Sequence, residues 1–354
     1  MEQADSQAEV ILGVDTHLDV HVGVVIDAVG RLKGTLSIET NPSGYARLLV
    51  WAQSFGRLNR AGIEGTSSYG AGLTRHLEMS GVAIVEINRP NRARRRNRGK
   101  SDPTDAESAA RSVLAGDATG TPKSQGGIAE ALRTLSVARR SAVKAKTQAV
   151  NQLRALLVGA PSVIRDALLK AKPEHCVAAC AALPENDEKN LVLASLKSTL
   201  RLLAKRWKAL HEELRELDKQ LNRLTKLAAP RLLGRFGVGP QTAATLLVTA
   251  GDNPTRLRNE AALAALCGVS PLEASSGKTN RHRLNRGGQR QANNALWTIA
   301  MVRMRSDART REYVVRRTGE GLSKKEIHRC LKRYIVRELY PLILADLADS
   351  SSSA

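Results

Sequence analysis

Four carboxylates carry the first chemical signal in this chain. Asp15 closes the apolar run Val10–Val14, Glu64 closes a shorter run from Ala61, and Asp102 and Asp105 lie three residues apart in Lys100-Ser-Asp-Pro-Thr-Asp-Ala. If the two runs are neighbouring strands and the last pair opens a helix, all four acids meet at one edge of a sheet. Carboxylates that close oppose one another's ionisation unless a cation is present. Mg2+ resolves the conflict, because it takes a few carboxylates together with phosphate oxygens of a substrate. The chain carries 55 Lys and Arg against 34 Asp and Glu, a net charge of +21. That balance suits a polyanion, so the phosphates are expected to belong to nucleic acid.

Further groups with chemical potential surround these. Asp15 is followed by Thr16-His17-Leu-Asp19-Val-His21; strand alternation places Asp19 and His21 on the face of Asp15, and both histidines read as structural. Arg89 to Lys100 holds seven cations in twelve residues, among them Arg92, Arg94, Arg95, Arg96, Arg98 and Lys100. Because that run leads straight into the acidic pair, it reads as a nucleic-acid contact beside the metal. Gly237 and Gly239 fit a helix–hairpin–helix, whose tight turn offers N–H groups to a phosphate. Further on, Ser275 and Ser276 precede Gly277, Lys278, Arg281, Arg283 and Arg286 in a loop-like stretch. Cys176, Cys180, Cys267 and Cys330 show no paired zinc spacing and read as reduced, structural thiols.

The elements that must position these groups fall into three expected domains. Residues 1–122 give three strands, helix, strand, helix, strand, helix, the order of an RNase H-like α/β sheet with the first strand beside the fourth. A helix over Pro103–Leu114 takes Ser101 or Asp102 as its N-cap. Residues 123–230 turn helical. Leu193, Leu196, Leu200, Leu203, Trp207, Leu210, Leu214, Leu217, Leu221 and Leu224 keep spacings of three and four, a coiled-coil seam. Such a helix would reach roughly 45 Å or more, with Ile128–Val158 as an antiparallel mate. Whether this is an intramolecular hairpin or a dimerisation arm stays open. Residues 231–346 form a third, mainly helical domain, and 347–354 a frayed tail.

Composition narrows the classes. Ten aromatic residues in 354 argue against serial base stacking and for contacts to phosphate and duplex shape. No stretch reaches the roughly 20 apolar residues of a spanning helix, and Met1-Glu-Gln-Ala-Asp-Ser is unlike a signal peptide. No membrane partner and an intracellular, cytoplasmic site are expected.

Together the residues resemble the DEDD transposases of the insertion-sequence-110 family, which are RNA-guided serine recombinases. The resemblance rests on Gly13-Val-Asp15-Thr, Ile63-Glu64-Gly-Thr-Ser-Ser-Tyr69-Gly, Lys100-Ser-Asp102-Pro-Thr-Asp105-Ala, Gly237-Val-Gly239 and Cys267-Gly-Val-Ser-Pro271 with Ser276-Gly277. It implies a RuvC-like N-terminal domain, a coiled-coil arm and a C-terminal transposase domain. It also implies Asp15, Glu64, Asp102 and Asp105 holding Mg2+, with Ser276 as nucleophile on a DNA phosphate. Ser276 takes that role over Ser275 by its place five residues after Pro271 and immediately before Gly277. The implied partners are donor and target DNA, a noncoding bridge RNA that pairs with both, and further copies of the chain, as a dimer and a tetramer in the synapse. In that arrangement the acids of one protomer serve the serine of another, in a bacterial, nucleoid-associated protein.

Two rivals remain. A Mg2+-dependent structure-specific endonuclease, like a Holliday-junction resolvase with water as nucleophile, fits the acids equally well but leaves the arm and the serine region without a task. A non-catalytic nucleic-acid scaffold leaves the four acids unexplained.

Overall fold

The computed structural model describes residues 8–87, 101–184, 190–278 and 282–352. They divide into two compact units, residues 1–125 and 126–354. The expected contacts at Arg92, Arg94, Arg95, Arg96, Arg98, Lys100 and Arg281 lie outside the described residues.

The first unit is a five-stranded mixed sheet in the order β3-β2-β1-β4-β5. Its strands are β1 (Glu9–Thr16), β2 (Val20–Asp27), β3 (Leu32–Glu39), β4 (Arg57–Glu64) and β5 (Ala83–Ile87). β1 is antiparallel to β2 and parallel to β4. The first strand is therefore central and beside the fourth, as expected for an RNase H-like sheet. Period-two alternation sorts β1 onto two cores. Val10, Leu12 and Val14 face a cluster containing Leu48 of α1 (Pro42–Gln53) and Leu73 and Leu77 of α2 (Ala71–Met79). Ile11 faces the other way, onto Ala106, Ala109, Ala110 and Val113 of α3 (Asp102–Leu114).

α3 lies against the sheet because two strand positions lack side chains. Gly13 and Gly62 are paired across β1 and β4. A Cβ on Gly13 would meet the Ala106 carbonyl oxygen at 2.1 Å, and one on Gly62 would meet Val113 Cγ2 at 2.7 Å. The helix occupies that trough. Ser101 stands at its N-cap in extended conformation and Pro103 in its first turn, a favoured site for proline.

Among its described residues the second unit is helical apart from one short hairpin. α4 (Ile128–Val158) and α7 (Leu191–Ala228) form its longest pair, with α5 (Ser162–Leu168) and α6 (Pro173–Ala181) between them in sequence. Arg139 pairs with Asp218, and Lys146 contacts His211 at 3.2 Å, so α4 and α7 run antiparallel within one chain. Every seam position from Leu193 to Leu224 is buried or half-buried. At the outer end Leu153, Leu157, Cys176, Cys180, Leu200 and Trp207 share one core. All four cysteines are free thiols, and burial pushes the Cys180 thiol up to about 11, with Cys176 adding to the rise.

The remaining helices are α8 (Pro230–Leu233), α9 (Pro240–Ala250), α10 (Glu260–Leu266), α11 (Arg290–Ser306), α12 (Ala308–Gly319) and α13 (Lys324–Ser352). Leu247, Leu263, Leu296, Ile335 and Leu339 lie in their common core. Gly237 takes φ of +82°, a left-handed turn that suits glycine, and Gly239 caps α9, where its N–H donates to Thr242 Oγ1. Among the described residues no helix is long and apolar enough to cross a membrane.

Candidate active site and nucleic-acid groove

Asp15 is the next-to-last residue of β1, and Glu64 ends β4. The register pairs Val14 with Ile63, so Asp15 and Glu64 are the next positions side by side. Both fall on the α3 face, two residues beyond the paired glycines. The Thr16 hydroxyl donates to the Glu64 carbonyl at 2.9 Å and ties the two strand ends together. From α3, Asp102 and Asp105 arrive in the first turn, where a helix dipole favours negative charge. Asp105 is buried, and its N–H donates to the Ser101 carbonyl at 3.0 Å; Asp102 is exposed.

The electrostatics register this convergence. Burial lifts the Asp15 carboxyl above the ordinary range, His17 opposes the rise, and the charges of Asp102 and then Asp105 add to it. Among the described residues, Asp15, His17 and Asp102 form a donor set whose ligand atoms all lie within 4.8 Å of one another. His17 Nε2 is 3.2 Å from Asp15 Oδ2 and 3.5 Å from Asp102 Oδ1. Asp105 is near enough to add its charge at Asp15, while Glu64 is placed here by its position beside Asp15 in the strand register.

The expectation that Asp19 and His21 share the face of Asp15 is corrected. Residues 17–19 break the strand, so alternation restarts in β2, and His21 pairs with Thr16 rather than Asp15. His21 is fully buried on the opposite face, stacked on Tyr45 at 5.9 Å between ring centres, and burial lowers its pKa. It is structural, as read. His17, also read as structural, is instead the histidine at the acids.

In the second unit, β6 (Leu272–Glu273) and β7 (His282–Arg283) pair as a hairpin whose connecting segment contains Ser275, Ser276, Gly277 and Lys278. Ser276 is exposed, and Gly277 has φ of +55°. The base of the hairpin is firmly held. Asn285 Nδ2 donates to Ser270 Oγ at 3.0 Å, and Asn293 Nδ2 donates to the carbonyls of Cys267 and Gly268, both at 3.0 Å. Lys332 Nζ in turn donates to Asn293 Oδ1 at 2.8 Å, while burial and the nearby Arg329 lower its pKa.

Beside that base runs a groove of about 1640 Å3. Arg283 and Arg286 line it from the hairpin side, Arg290 and Trp297 from α11, and Arg329 and Arg337 from α13. Sequence inspection found the first two cations and missed those of α13. Their signal was present, since Arg329, Arg333 and Arg337 recur every four residues on one helical face.

A mixed sheet of this order, with acids gathered at the ends of β1 and β4 and at the start of α3, is compatible with the RNase H-like class. The DEDD transposase model of IS110 matches residues 12–160, and the model described as "Transposase IS116/IS110/IS902 family" matches residues 229–315. The chain belongs to the IS110 family of transposases. It is similar to a 43.6 kDa protein of insertion element IS110 from Streptomyces coelicolor, described as uncharacterized, with 32% identity over 164 residues. That match takes in 46% of this chain and 38% of the relative.

Proposed function

We propose that the chain is a recombinase that cuts and rejoins donor and target DNA by serine attack on a backbone phosphate, guided by a noncoding bridge RNA. The observation that carries this reading is the convergence of Asp15, Glu64, Asp102 and Asp105 at one sheet edge. Supporting it is an exposed Ser276 on a hairpin whose base is braced beside a cationic groove.

Asp15, Glu64, Asp102 and Asp105 would hold Mg2+, a reading supported by the close donor group that Asp15 and Asp102 form with His17. The bound ion would supply charge neutralisation at a phosphate undergoing in-line displacement. Ser276 Oγ forms a bond to phosphorus as the bond from phosphorus to a deoxyribose oxygen breaks. The serine proton is lost and the leaving oxygen gains one, so a phosphoserine ester and a free DNA hydroxyl result. Attack by a hydroxyl of the exchanged strand reverses the step and frees the serine. Arg283 and Arg286, with Lys278 and Arg281, would neutralise phosphates flanking the scissile one. The turn at Gly237, ahead of α9, would present backbone N–H groups to a further phosphate, with Gly239 as the helix cap whose own N–H is taken by Thr242 Oγ1. Arg92, Arg94, Arg95, Arg96, Arg98 and Lys100 would contact nucleic acid next to the acids. Dimers pairing into a tetramer would bring two DNAs together, with the helical hairpin as the arm.

The test is a denaturing gel for covalent protein–DNA adducts, with protein co-purified with its RNA, labelled donor and target DNA, and Mg2+. An adduct lost in Ser276→Ala and in Asp15→Ala is expected. Nicks without an adduct, unaffected by Ser276→Ala, would establish an endonuclease using water and overturn the serine assignment.

A further inference from the structure

We infer that His17 is a nitrogen donor to the cation at Asp15 and Asp102, so that the site mixes oxygen and nitrogen ligands. The inference rests on the proposal that the acid edge holds a divalent metal, and deepens it.

The spacing of the donor atoms carries the argument. For metal–ligand bonds of about 2.1 Å, neighbouring donors stand about 3.0 Å apart in an octahedron and about 3.4 Å apart in a tetrahedron. Nε2 of His17 lies 3.2 Å from the Asp15 oxygen and 3.5 Å from the Asp102 oxygen, the edges of such a polyhedron. The backbone that carries the ring is also held in place. His17 follows β1 directly, its N–H donates to His21 Nδ1 at 3.4 Å, and its carbonyl accepts from Thr40 Oγ1 at 3.4 Å. His21 is fully buried, so the backbone of His17 is tethered to an immobile partner. The His17 side chain is 51% exposed, which leaves the far side of the site open to solvent and to a phosphate oxygen.

An imidazole changes which cation the site prefers. Mg2+ favours all-oxygen, largely hydrated settings, whereas imidazole nitrogen is a better ligand for transition metals. Mn2+, which accepts both donor types, should therefore bind more tightly than Mg2+ in the wild type. In His17→Ala that preference should shrink.

The experiment loads the full-length chain with Mn2+ alone and reads directly bound imidazole by the 14N modulation in pulsed electron paramagnetic resonance. Modulation is expected in the wild type and absent in His17→Ala, with Mn2+ affinity by calorimetry falling at least about tenfold. Circular-dichroism melts should be unchanged, because the ring packs in no core. Mn2+ bound in an Asp15-dependent way without 14N modulation would overturn the inference and leave the carboxylate site standing. Modulation that persists in His17→Ala would overturn it as well. Mn2+ binding that Asp15→Asn leaves untouched would overturn the acid-site reading, and the inference with it.

Discussion

Gly13 and Ala106 meet backbone to backbone: a Cβ on the glycine would stand 2.1 Å from the Ala106 carbonyl oxygen and 2.4 Å from the Ala110 nitrogen. The contact is with the helix backbone, which has no rotamer to yield. The position of α3, and hence of Asp102 and Asp105, is set by the absence of one methyl group two residues before Asp15.

Gly13→Ala should therefore lift α3 from the sheet. Overpacking of this kind costs about 1–3 kcal/mol, and chemical denaturation should show it. Activity should fall by more than the lost stability explains, because the acids of α3 move away from Asp15. A variant that is destabilised yet keeps full DNA cleavage would show that the acids need no such close placement.

Cys180 provides a pH test remote from any proposed site. Its thiol stands at about 11 against an ordinary 9.0, because burial penalises the thiolate. The folded state thus holds the proton more firmly than the unfolded one. The associated stability is fully present below pH 9 and is lost as pH rises through about 11. A shift of two pH units is worth at most about 2–3 kcal/mol. Urea unfolding at pH 8 and pH 10.5 should show a smaller alkaline loss in Cys180→Ala than in the wild type. Equal losses would place the alkaline sensitivity elsewhere.

Arg329 tests the groove. Each phosphate contact contributes about one to the slope of log affinity against log salt. Arg329→Ala should weaken binding to duplex or guide RNA and reduce that slope by about one, measured by fluorescence anisotropy across a salt series. A slope identical to wild type would mean that nucleic acid does not enter between α11 and α13.

Asp252 caps α4 from far along the chain. Its carboxylate accepts from the N–H groups of Ala129 at 2.7 Å, Glu130 at 3.2 Å and Gly127 at 3.3 Å. Losing such a cap costs about 1–2 kcal/mol, so Asp252→Ala should lower the unfolding midpoint. Faster hydrogen exchange should be confined to the first turns of α4. Uniform acceleration along the helix would indicate that the cap fixes more than its end.

The legible parts of this molecule are those governed by short-range periodicity. The apolar runs that end at Asp15 and Glu64 marked the strands, and the leucine ladder marked the long helix α7 while leaving its partner open, because both patterns depend on one element at a time. The exchange of His17 for His21 was not legible, since it turns on where the β1–β2 turn resets the alternation, and three residues decide that. The cationic face of α13 is visible as Arg329, Arg333 and Arg337 every four residues, but its place in the groove was not legible. Arg329 and Arg337 come into register with Arg286 only through the packing of α11 on α13, which no local pattern records. The Asp252 cap was not legible either, because the residue lies more than a hundred positions from the helix end it serves.

That cap also has a mechanical side. Asp252 joins the root of the two-helix arm to the turn leading into α10, in the same unit that carries Ser276. α7 continues from that root for 38 residues without a break, about 57 Å. A body so anchored turns as a lever: a tilt of about five degrees at the root displaces its far end by about 5 Å over that length. Whatever takes hold of the distal end of the arm thus acts through a long lever on its root, where Asp252 ties α4 to the segment ahead of α10.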